Sequence, residues 1–327
     1  MENQIKTYKY NPKPLFEERM NSLLKDKADR EEYWKIVHTE PVNSIRCNTL
    51  KISPEELKIK LEKRGWKINQ LFKEYEEIII IENSLGPGEL GRAEEHLLGY
   101  YYVQEISSML PMLTLKPTEK DSFLDLCSSP GSKTTQAAAM MNNKGILIAN
   151  DNSLSRIIIL GSNLEKCGVS NCIVTRKDGL HLCKKFKQAN FYFDKILVDV
   201  PCSGEGTLRS SPETFIMWNE KMVEKFSRTQ KALASAALQI LKIGGEMLYS
   251  TCTHAPEENE EVIQYLLDNF NIEILPIELP LKTRGGITEW QGKKFNEKIK
   301  NCVRIYPQDN NTEGFFLCKI KKLGEKA

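Results

Sequence analysis

Residues 122–134 read SFLDLCSSPGSKT, a short apolar strand that runs into a turn of small residues and then into a helix. Four further apolar strands follow in the chain, and longer helical patterns separate them. The strands are GILIAN (145–150), CIVT (172–175), FDKILVDV (193–200) and GGEMLYST (244–251), and the helical patterns lie near 133–141, 154–167 and 218–241. Apolar strands that alternate with helices predict an α/β fold, in which helices cover both faces of a parallel sheet.

The chain before this sheet has a different character, because helices mix there with short strands. An amphipathic helical pattern covers residues 14–38, and strands are predicted at NSIRCNTL (43–50) and EEIIII (76–81). A second helix is predicted at SPEELKIKLEKRG (53–65), where Ser53 is the N-cap, Glu56 completes a capping box and Gly65 ends the helix. We therefore predict a small α+β domain over residues 1–95 and a larger α/β domain over residues 96–327.

Charge and cysteine content narrow the class of protein. Lys and Arg number 46 against 44 Asp and Glu, so the formal charge of +2 gives no global field that would argue for nucleic acid as a partner. The nine cysteines form no C-x-x-C pair, which fits neither a disulfide framework nor a zinc module. The N-terminus has no apolar signal region, and no apolar run is long enough to span a bilayer. We expect a soluble, cytoplasmic, monomeric protein with no membrane partner and no metal.

Acidic and thiol residues follow the predicted strands at the same place, the carboxyl end. Asp151 ends the second strand, Asp178 follows the third, Asp199 and Cys202 follow the fourth, and Cys252 follows the fifth. A single aspartate at such a position is usually a helix cap or a loop anchor. Because ligands bind beyond the carboxyl ends of parallel strands, the recurrence predicts a ligand site there.

The first turn favours an adenosyl cofactor that lacks phosphates. Ser128, Ser129, Gly131 and Ser132 are small and let a ligand approach the backbone closely. The turn lacks the G-x-G-x-x-G fingerprint of dinucleotide sites, which argues against a nicotinamide dehydrogenase. Asp151 is placed to accept hydrogen bonds from the two hydroxyls of a ribose. S-adenosylmethionine satisfies both observations.

A methyl donor near cysteines suggests methylation of a weakly nucleophilic carbon, such as C5 of a pyrimidine. Attack of a thiolate on C6 moves electron density to C5, which then accepts the methyl group; loss of the C5 proton and elimination of the thiol restore the ring. An aspartate beside the thiol can hold the N3 and N4 edge of the base. The base for the C5 proton stays unassigned, and His254, interpreted as an exposed loop residue, is a weak candidate.

Five stretches carry a family resemblance: NTLK (48–51), LDLCSSPGSKT (124–134), FDKILVDVPCSGEGTLR (193–209), GGEMLYSTCTHAPEENEEVI (244–263) and RIYPQDNNTEGFF (304–316). They resemble the Nop/Sun family of S-adenosylmethionine-dependent RNA cytosine-C5 methyltransferases, in the family's order from about residue 43 to residue 321. The chain is most similar to compact archaeal-type tRNA-modifying members. The resemblance implies a Rossmann-like, seven-stranded methyltransferase sheet with a small N-terminal RNA-binding domain over residues 1–95.

The resemblance also implies roles for individual residues. Cys252 would attack C6, Cys202 would assist release of the RNA adduct, and Asp199 and Lys133 would contact the target cytosine. The residues carried over as cofactor-binding are Cys127, Ser128, Ser129, Pro130, Gly131, Ser132, Lys133, Asp151, Arg156, Asp178 and Asp199. In that set, residues 127–133 would line the methionine end, Asp151 would hold the ribose and Asp178 the adenine amine. The family usually has glycine where Ser132 stands, so Ser132 would be strained if that position needed a positive φ.

The implied partner is RNA, with tRNA ahead of rRNA. Basic clusters at 176–177, 184–187, 293–300 and 319–322, with Phe295 interleaved, are candidates for an RNA track. The target base must leave its stack or be unpaired already. Two rival hypotheses stay open. A DNA cytosine-C5 methyltransferase would make Cys202 the attacking thiol, and a noncatalytic RNA-binding scaffold would keep the fold without turnover.

Overall fold

The structure is a computed structural model that describes residues 11–326, and these residues form two compact units. The first unit runs from the first described residue to Pro41 and also contains Val200–Ser235 and the described chain from Tyr249 onward. The second unit contains Val42–Asp199 and Ala236–Leu248. Each unit is thus assembled from segments that lie far apart in the sequence.

The secondary structure follows the predicted alternation of strands and helices. The helices are α1 (Pro14–Leu23), α2 (Lys27–Ile36), α3 (Pro54–Lys63), α4 (Glu89–Arg92), α5 (Glu94–Leu97), α6 (Ile106–Leu115), α7 (Ser132–Met140), α8 (Leu154–Cys167), α9 (Gly179–Gln188), α10 (Thr214–Met217), α11 (Glu220–Gln239), α12 (Glu260–Asn269), α13 (Pro307–Asn310) and a 3-10 helix at Glu297–Asn301. The strands are β1 (Asn43–Cys47), β2 (Ile68–Asn69), β3 (Ile78–Ile81), β4 (Tyr101–Val103), β5 (Ser122–Asp125), β6 (Ile146–Asp151), β7 (Cys172–Arg176), β8 (Phe193–Asp199), β9 (Leu241–Thr251), β10 (Asn271–Leu275), β11 (Arg284–Gly285), β12 (Glu289–Trp290), β13 (Lys293–Lys294), β14 (Val303–Ile305) and β15 (Phe315–Gly324).

The second unit contains the predicted parallel sheet, in the strand order β9, β8, β5, β6, β7. β5 pairs in parallel with β6 on one side and with β8 on the other. The chain leaves β5 through α7 toward β6, and it returns to the other side of β5 only at β8. The strand order therefore reverses at the β5–β8 pair, and open α/β sheets bind ligands beyond the carboxyl ends of strands at such a point. The prediction of a Rossmann-like α/β fold is confirmed.

The second unit also contains an antiparallel sheet of four short strands, in the order β2, β3, β1, β4. α3 buries Leu57 and Leu61 in one core cluster with Ile45 and Ile79 of this sheet. The predicted capping box is present, since the Ser53 hydroxyl accepts from the backbone N–H of Glu56, whose side chain accepts from the backbone of Ser53.

The first unit contains antiparallel strands, in which β15 pairs with both β14 and β10, and β11 pairs with β14. Its aromatic core includes Phe16 from α1, Tyr33 from α2 and Trp218. The helical pattern over residues 14–38 is divided, because α2 has its own N-cap at Asp26, whose carboxylate accepts from the N–H of Asp29.

Within residues 11–326 the large sheet has nine strands rather than the implied seven, because the short strands β11 and β14 are added; β9 itself continues from the second unit into the first. The predicted division into an RNA-binding region over residues 1–95 and a methyltransferase domain over 96–327 stays a prediction. The first ten residues of that region, and residue 327, lie outside the described residues.

Within residues 11–326, none of the helices combines the length and the apolar character that a membrane span requires.

Candidate active site

The first predicted turn connects β5 to α7 in the second unit. Gly131 has φ +105°, and a Cβ built on it would lie 2.9 Å from Leu160 Cδ1, so the turn requires glycine at this position. Ser132 begins α7 and is not among the residues with positive φ. The strain considered for Ser132 therefore does not arise, because the left-handed position of the turn falls one residue earlier.

The turn is tied to the end of β6 and keeps two buried polar atoms unpartnered. The backbone N–H and the hydroxyl of Ser128 both donate to the carbonyl of Asn150, at 2.8 and 2.9 Å. Among the described residues, neither Ser129 Oγ nor Asp125 Oδ1 has a hydrogen-bond partner. Burial raises the pKa of Asp125 to about 7. A ligand with ammonium and hydroxyl donors, such as the methionyl and ribosyl parts of S-adenosylmethionine, fits such acceptors.

Asp151 and Arg156 lie beside the same turn. The Asp151 carboxylate is buried; one oxygen accepts from the N–H of Ser153 at 3.0 Å, and the other lies 3.4 Å from the half-exposed Arg156 guanidinium. Arg156 also donates to the carbonyl of Ser129. Asp178 is exposed and caps α9, because its carboxylate accepts from the N–H of His181 at 3.0 Å. Asp178 thus has the usual role of a strand-end aspartate, that of a helix cap. Asp151, in contrast, is held next to the turn by Arg156.

Asn150, which the sequence analysis passed over, connects three strand ends. Its side-chain amide donates to the carbonyls of Leu126 and Lys177, at 3.2 and 3.0 Å, and its oxygen accepts from the hydroxyl of Thr175. The only available signal was the polar residue before Asp151 at the end of an apolar strand. Asn150 thereby fixes the loops that carry the turn and Asp178.

Lys133 and Asp199 form a largely buried ion pair, with Lys133 Nζ 2.9 Å from Asp199 Oδ2. Lys133 is in the first turn of α7, and Asp199 ends β8, the parallel neighbour of β5. Lys133 Nζ also donates to the hydroxyl of Ser108 at 2.9 Å. The charges of Asp199 and Lys133 both act on the pKa of Asp125, so the three groups form one electrostatic cluster. Asp125 is therefore a third candidate site residue beside Lys133 and Asp199, and the sequence alone did not single it out.

The two predicted thiols meet in the first unit. The Sγ atoms of Cys202 and Cys252 are 3.3 Å apart, and both residues are partly exposed free cysteines. The Cys252 thiol and burial together raise the pKa of Cys202 well above its ordinary value. Cys202 is therefore a protonated thiol at neutral pH.

Backbone contacts hold Cys252 in place. The N–H of Gly206 donates to the carbonyl of Cys252 at 2.9 Å, and the N–H of Gly314 donates to the carbonyl of Gly206 at 2.7 Å. A Cβ on Gly206 would lie 2.6 Å from the Gly314 carbonyl oxygen and 2.9 Å from that of Cys252. Gly206 of the DVPCSGEG stretch is thus required by a close approach of three backbone segments.

Buried carboxyl groups lie under the loop that carries Cys202. Glu258 Oε2 accepts from the N–H of Ser203 at 3.1 Å and from Gln230 at 2.8 Å, while Oε1 has no hydrogen-bond partner among the described residues. Burial raises the pKa of Glu258 to about 8. Burial also raises the pKa of Glu205, which accepts from the indole of Trp218 at 2.8 Å. Neither carboxyl stands out in the sequence, because its burial depends on tertiary packing.

His254 differs from its interpretation as an exposed loop residue. It is 1 % exposed and stacks on Tyr306, with ring centroids 4.8 Å apart and planes 8° apart. Burial, with the nearby charges of Arg304 and Arg284, lowers the pKa of His254 to about 3. His254 is neutral and enclosed, so it is a packing residue rather than a base available to solvent.

The predicted basic track is only partly exposed. Phe295 is 8 % exposed and Lys322 4 %, so neither offers a surface to RNA in the first unit. Lys293 pairs with Glu261 at 2.8 Å. In the second unit, residues 184–185 and 187 of α9 are exposed lysines. Sequence clusters of charge therefore do not translate directly into an RNA surface.

Comparison with known proteins identifies relatives over nearly the whole chain. A family model described as 16S rRNA methyltransferase RsmB/F matches residues 112–321, and one described as the N-terminal domain of 16S rRNA methyltransferase RsmF matches residues 13–106. A tRNA (cytosine(49)-C(5))-methyltransferase of Pyrococcus abyssi is 40 % identical over 294 residues, which cover 90 % of this chain and 92 % of the relative.

Two further relatives extend the comparison. Ribosomal RNA small subunit methyltransferase F of Vibrio cholerae is 36 % identical over 95 % of this chain, but the match spans only 64 % of that relative. The crystal structure of a methyltransferase homolog protein from Pyrococcus horikoshii is 32 % identical with a TM-score of 0.78, and the match covers 95 % of this chain and all of that one. The chain therefore belongs to the RsmB/F, or Nop/Sun, family of S-adenosylmethionine-dependent RNA cytosine-C5 methyltransferases.

Proposed function

We propose that this protein methylates C5 of a cytosine in tRNA, by way of a covalent adduct between Cys252 and C6 that Cys202 helps to release. The observation that carries the proposal is the thiol pair, with two free Sγ atoms 3.3 Å apart. Two thiols in contact at one place support a division of labour between attack and release. The similarity to the Pyrococcus abyssi tRNA enzyme, at 40 % identity, supports tRNA as the substrate.

The family resemblance supports Cys252, the cysteine of the STC stretch, as the attacking thiol. A nucleophilic cysteine reacts as the thiolate, whereas Cys202 keeps its proton because Cys252 and burial disfavour its charge. The proposal therefore gives attack on C6 to Cys252 and assistance in release to Cys202, as the resemblance implies. The second thiol, in STC, argues against the DNA-methyltransferase hypothesis, in which Cys202 would be the nucleophile.

The Lys133–Asp199 pair is proposed to hold the cytosine. Asp199 accepts from the N4 amino group or a protonated N3, and Lys133 stabilises the charge that develops on the ring. Support comes from the chain itself, since Asp199 and Cys202 are separated by two residues, and from the 2.9 Å ion pair that fixes the two side chains.

The cofactor residues are proposed as the resemblance assigns them. Residues 127–133 line the methionine end, Asp151 binds the ribose hydroxyls with Arg156 beside it, Asp178 is near the adenine amine, and Asp199 borders the site. Support comes from the buried Ser129 hydroxyl of the turn and from Asp125 Oδ1 at the end of β5, which have no hydrogen-bond partner within residues 11–326. When bound, S-adenosylmethionine supplies an electrophilic methyl group on a sulfonium.

The cellular setting is also a proposal. We infer a role in tRNA processing in the cytoplasm, with residues 1–95 contributing to RNA binding and the protein acting as a monomer. All nine cysteines are free thiols, and none of them forms a disulfide, in keeping with a reducing compartment. The similarity to the Vibrio cholerae enzyme, at 36 % identity, supports rRNA as the second candidate substrate.

The test is an assay of methyl transfer from labelled S-adenosylmethionine to unmodified tRNA and to unmodified rRNA. We expect 5-methylcytosine in tRNA, located by bisulfite sequencing. If only rRNA is methylated, rRNA replaces tRNA as the proposed substrate. Absence of product from both RNAs, together with retained RNA binding, supports the noncatalytic scaffold and rejects the proposal.

A further inference from the structure

A buried arginine in the four-stranded sheet of the second unit reaches the helix that follows the cofactor turn. Arg46 on β1 is 2 % exposed. One terminal nitrogen donates to the carbonyl of Ser132 at 2.7 Å and to the side-chain oxygen of Gln104, and the other donates to the hydroxyl of Thr135 at 2.8 Å. Thr135 in turn donates to the carbonyl of Gly131 at 2.8 Å. Arg46 thus connects β1 to the first turn of α7 and, through Thr135, to the carbonyl of Gly131.

A second contact from the same sheet reaches the turn. The hydroxyl of Tyr102, on β4, lies 3.4 Å from the carbonyl of Pro130, and Asn163 of α8 donates to that carbonyl at 2.9 Å and to the Tyr102 hydroxyl at 3.1 Å. The Arg46 guanidinium lies over the Tyr102 ring, 5.5 Å from its centroid. Three successive carbonyls of the turn, at residues 130–132, are therefore bound by side chains from outside it.

Burying the Arg46 guanidinium costs more free energy than burying a residue that only fills space. Burial lowers the pKa of Arg46 to about 10, so the side chain is still a cation at neutral pH. Among the described residues it forms no ion pair with a carboxylate; its acceptors are two side-chain oxygens and one carbonyl. A buried cation without a carboxylate is costly, and an apolar side chain of similar size would pack at less cost. The fork geometry of the guanidinium, in contrast, suits the positioning of several acceptors at once.

We propose that Arg46 is a positioning residue for S-adenosylmethionine binding, which fixes residues 130–132 and the first turn of α7, including Lys133. The inference rests on the proposed assignment of residues 127–133 to the cofactor. It gives the four-stranded sheet a role in cofactor binding that is separate from RNA recognition. Arg46 acts through the turn and has no assigned contact with the cofactor.

The test is titration of the full chain with S-adenosylhomocysteine in a calorimeter, without RNA. We expect Arg46→Met to raise the Kd at least about tenfold, and Arg46→Lys, which can keep one of the donors, to raise it by a smaller factor. In steady-state assays the KM for S-adenosylmethionine rises by a larger factor than the KM for RNA, a split that a general loss of stability would not produce. Arg64→Met is the matched control, because Arg64 belongs to the same unit but pairs with Glu95; its Kd stays within about twofold of wild type.

Two further variants keep the outcome decisive. If Arg46→Met does not fold, Thr135→Val, which removes the hydroxyl between Arg46 and Gly131, carries the test in its place. Asp151→Asn tests the cofactor assignment itself. A Kd weakened by Asp151→Asn but unchanged in folded Arg46→Met and in Thr135→Val overturns the proposal. A Kd unchanged in Asp151→Asn as well removes the cofactor assignment on which the proposal depends.

Discussion

Cys202 and Cys252 have the same side chain and lie in contact, and the proposed mechanism gives them different roles. Cys202 lies against the other thiol and is held in its protonated form. A cysteine that keeps its proton is a poor nucleophile. The proposed mechanism therefore assigns release to the cysteine of the Pro-Cys motif, although the motif alone would suggest the nucleophile.

The division of labour predicts opposite phenotypes for the two alanine variants. We expect Cys252→Ala to abolish turnover without trapping RNA, because no bond to C6 can form. Cys202→Ala should accumulate a covalent RNA adduct, because attack proceeds and release is slow. Denaturing gel electrophoresis with labelled RNA measures the adduct. Cys172→Ala is the control and should behave as wild type; an adduct in Cys252→Ala but none in Cys202→Ala would reverse the assignment.

Gly206 offers a separate test of how the thiol is positioned. An alanine Cβ would be forced within 3 Å of the carbonyls of Gly314 and Cys252, and backbone has to move to accommodate it. We expect Gly206→Ala to destabilise the protein by roughly 1–3 kcal/mol and to lower kcat at least about tenfold. Urea unfolding and steady-state kinetics measure the two effects.

Gly161, inside α8, is the control for this substitution. A Cβ there would have no atom within 4 Å, so Gly161→Ala should be neutral or stabilising by up to about 1 kcal/mol. If both alanine variants leave kcat unchanged, the close approach at Gly206 does not position Cys252.

Glu258 predicts a loss of stability as pH rises. Its pKa is raised from 4.5 to about 8 in the folded protein, so the folded state binds one more proton than the unfolded state between these values. The free energy of unfolding therefore falls as pH rises from 4.5 to 8, by at most about 1.4 kcal/mol per pH unit from this group. Glu258→Gln should flatten that dependence, as urea titrations at pH 5, 6, 7 and 8 (~1-unit steps) would measure.

The matched control is Glu273→Gln, which alters an exposed carboxylate on β10. It should leave the pH dependence of wild type unchanged. The same slope in Glu258→Gln as in wild type would mean that the buried carboxyl is ionised in the folded protein at neutral pH.

Among the helices, α3 has the most complete N-terminal capping sequence. Its capping box satisfies backbone donors that the first turn of a helix leaves open, and its apolar face packs on the four-stranded sheet. Ser53→Ala should cost about 1 kcal/mol of stability, measured by urea unfolding. Ser53→Thr keeps the accepting oxygen and should stay within about 0.5 kcal/mol of wild type. Equal losses in both variants would show that the cap contributes through something other than its hydroxyl oxygen.

The elements also decide which polar residues can act together. Parallel pairing of β5 with β8 places the turn after one strand next to Asp199 at the end of the other. The pattern of strands and helices was sufficient to predict a parallel sheet. It was not sufficient to predict that Asp125 and Asn150 would join the site, because both look like ordinary strand-end residues until the strand order is known.

For the whole molecule, the chemistry sets a requirement on the RNA. The C6 of a stacked, paired cytosine is out of reach of a protein thiol, and unstacking costs a few kcal/mol. We expect an oligonucleotide with the target cytosine unpaired to react at least about tenfold faster than the same strand annealed to its complement. The measurement is kcat/KM for methyl transfer, and a complement that leaves only the target region single-stranded is the control. Equal rates on all three RNAs would contradict the requirement.

For the whole molecule, the sequence determined the family, the α/β fold and the candidate site residues with reactive or charged side chains. These follow from short-range patterns, namely strand period, capping residues and motifs, which do not need the rest of the chain to be interpreted. The thiols of Cys202 and Cys252 and the Lys133–Asp199 pair were identified in this way, and the structure brings each pair into contact.

Only the tertiary structure decided the protonation states and the support of the site. Burial raises the pKa of Glu258 and lowers that of His254. Packing of β1 against α7 lets Arg46 donate to the carbonyl of Ser132. None of these effects is visible in the local sequence. The physical reason is that desolvation and hydrogen bonding depend on which segments of the chain pack together. Arg46 and Ser132, for example, are 86 residues apart in the chain.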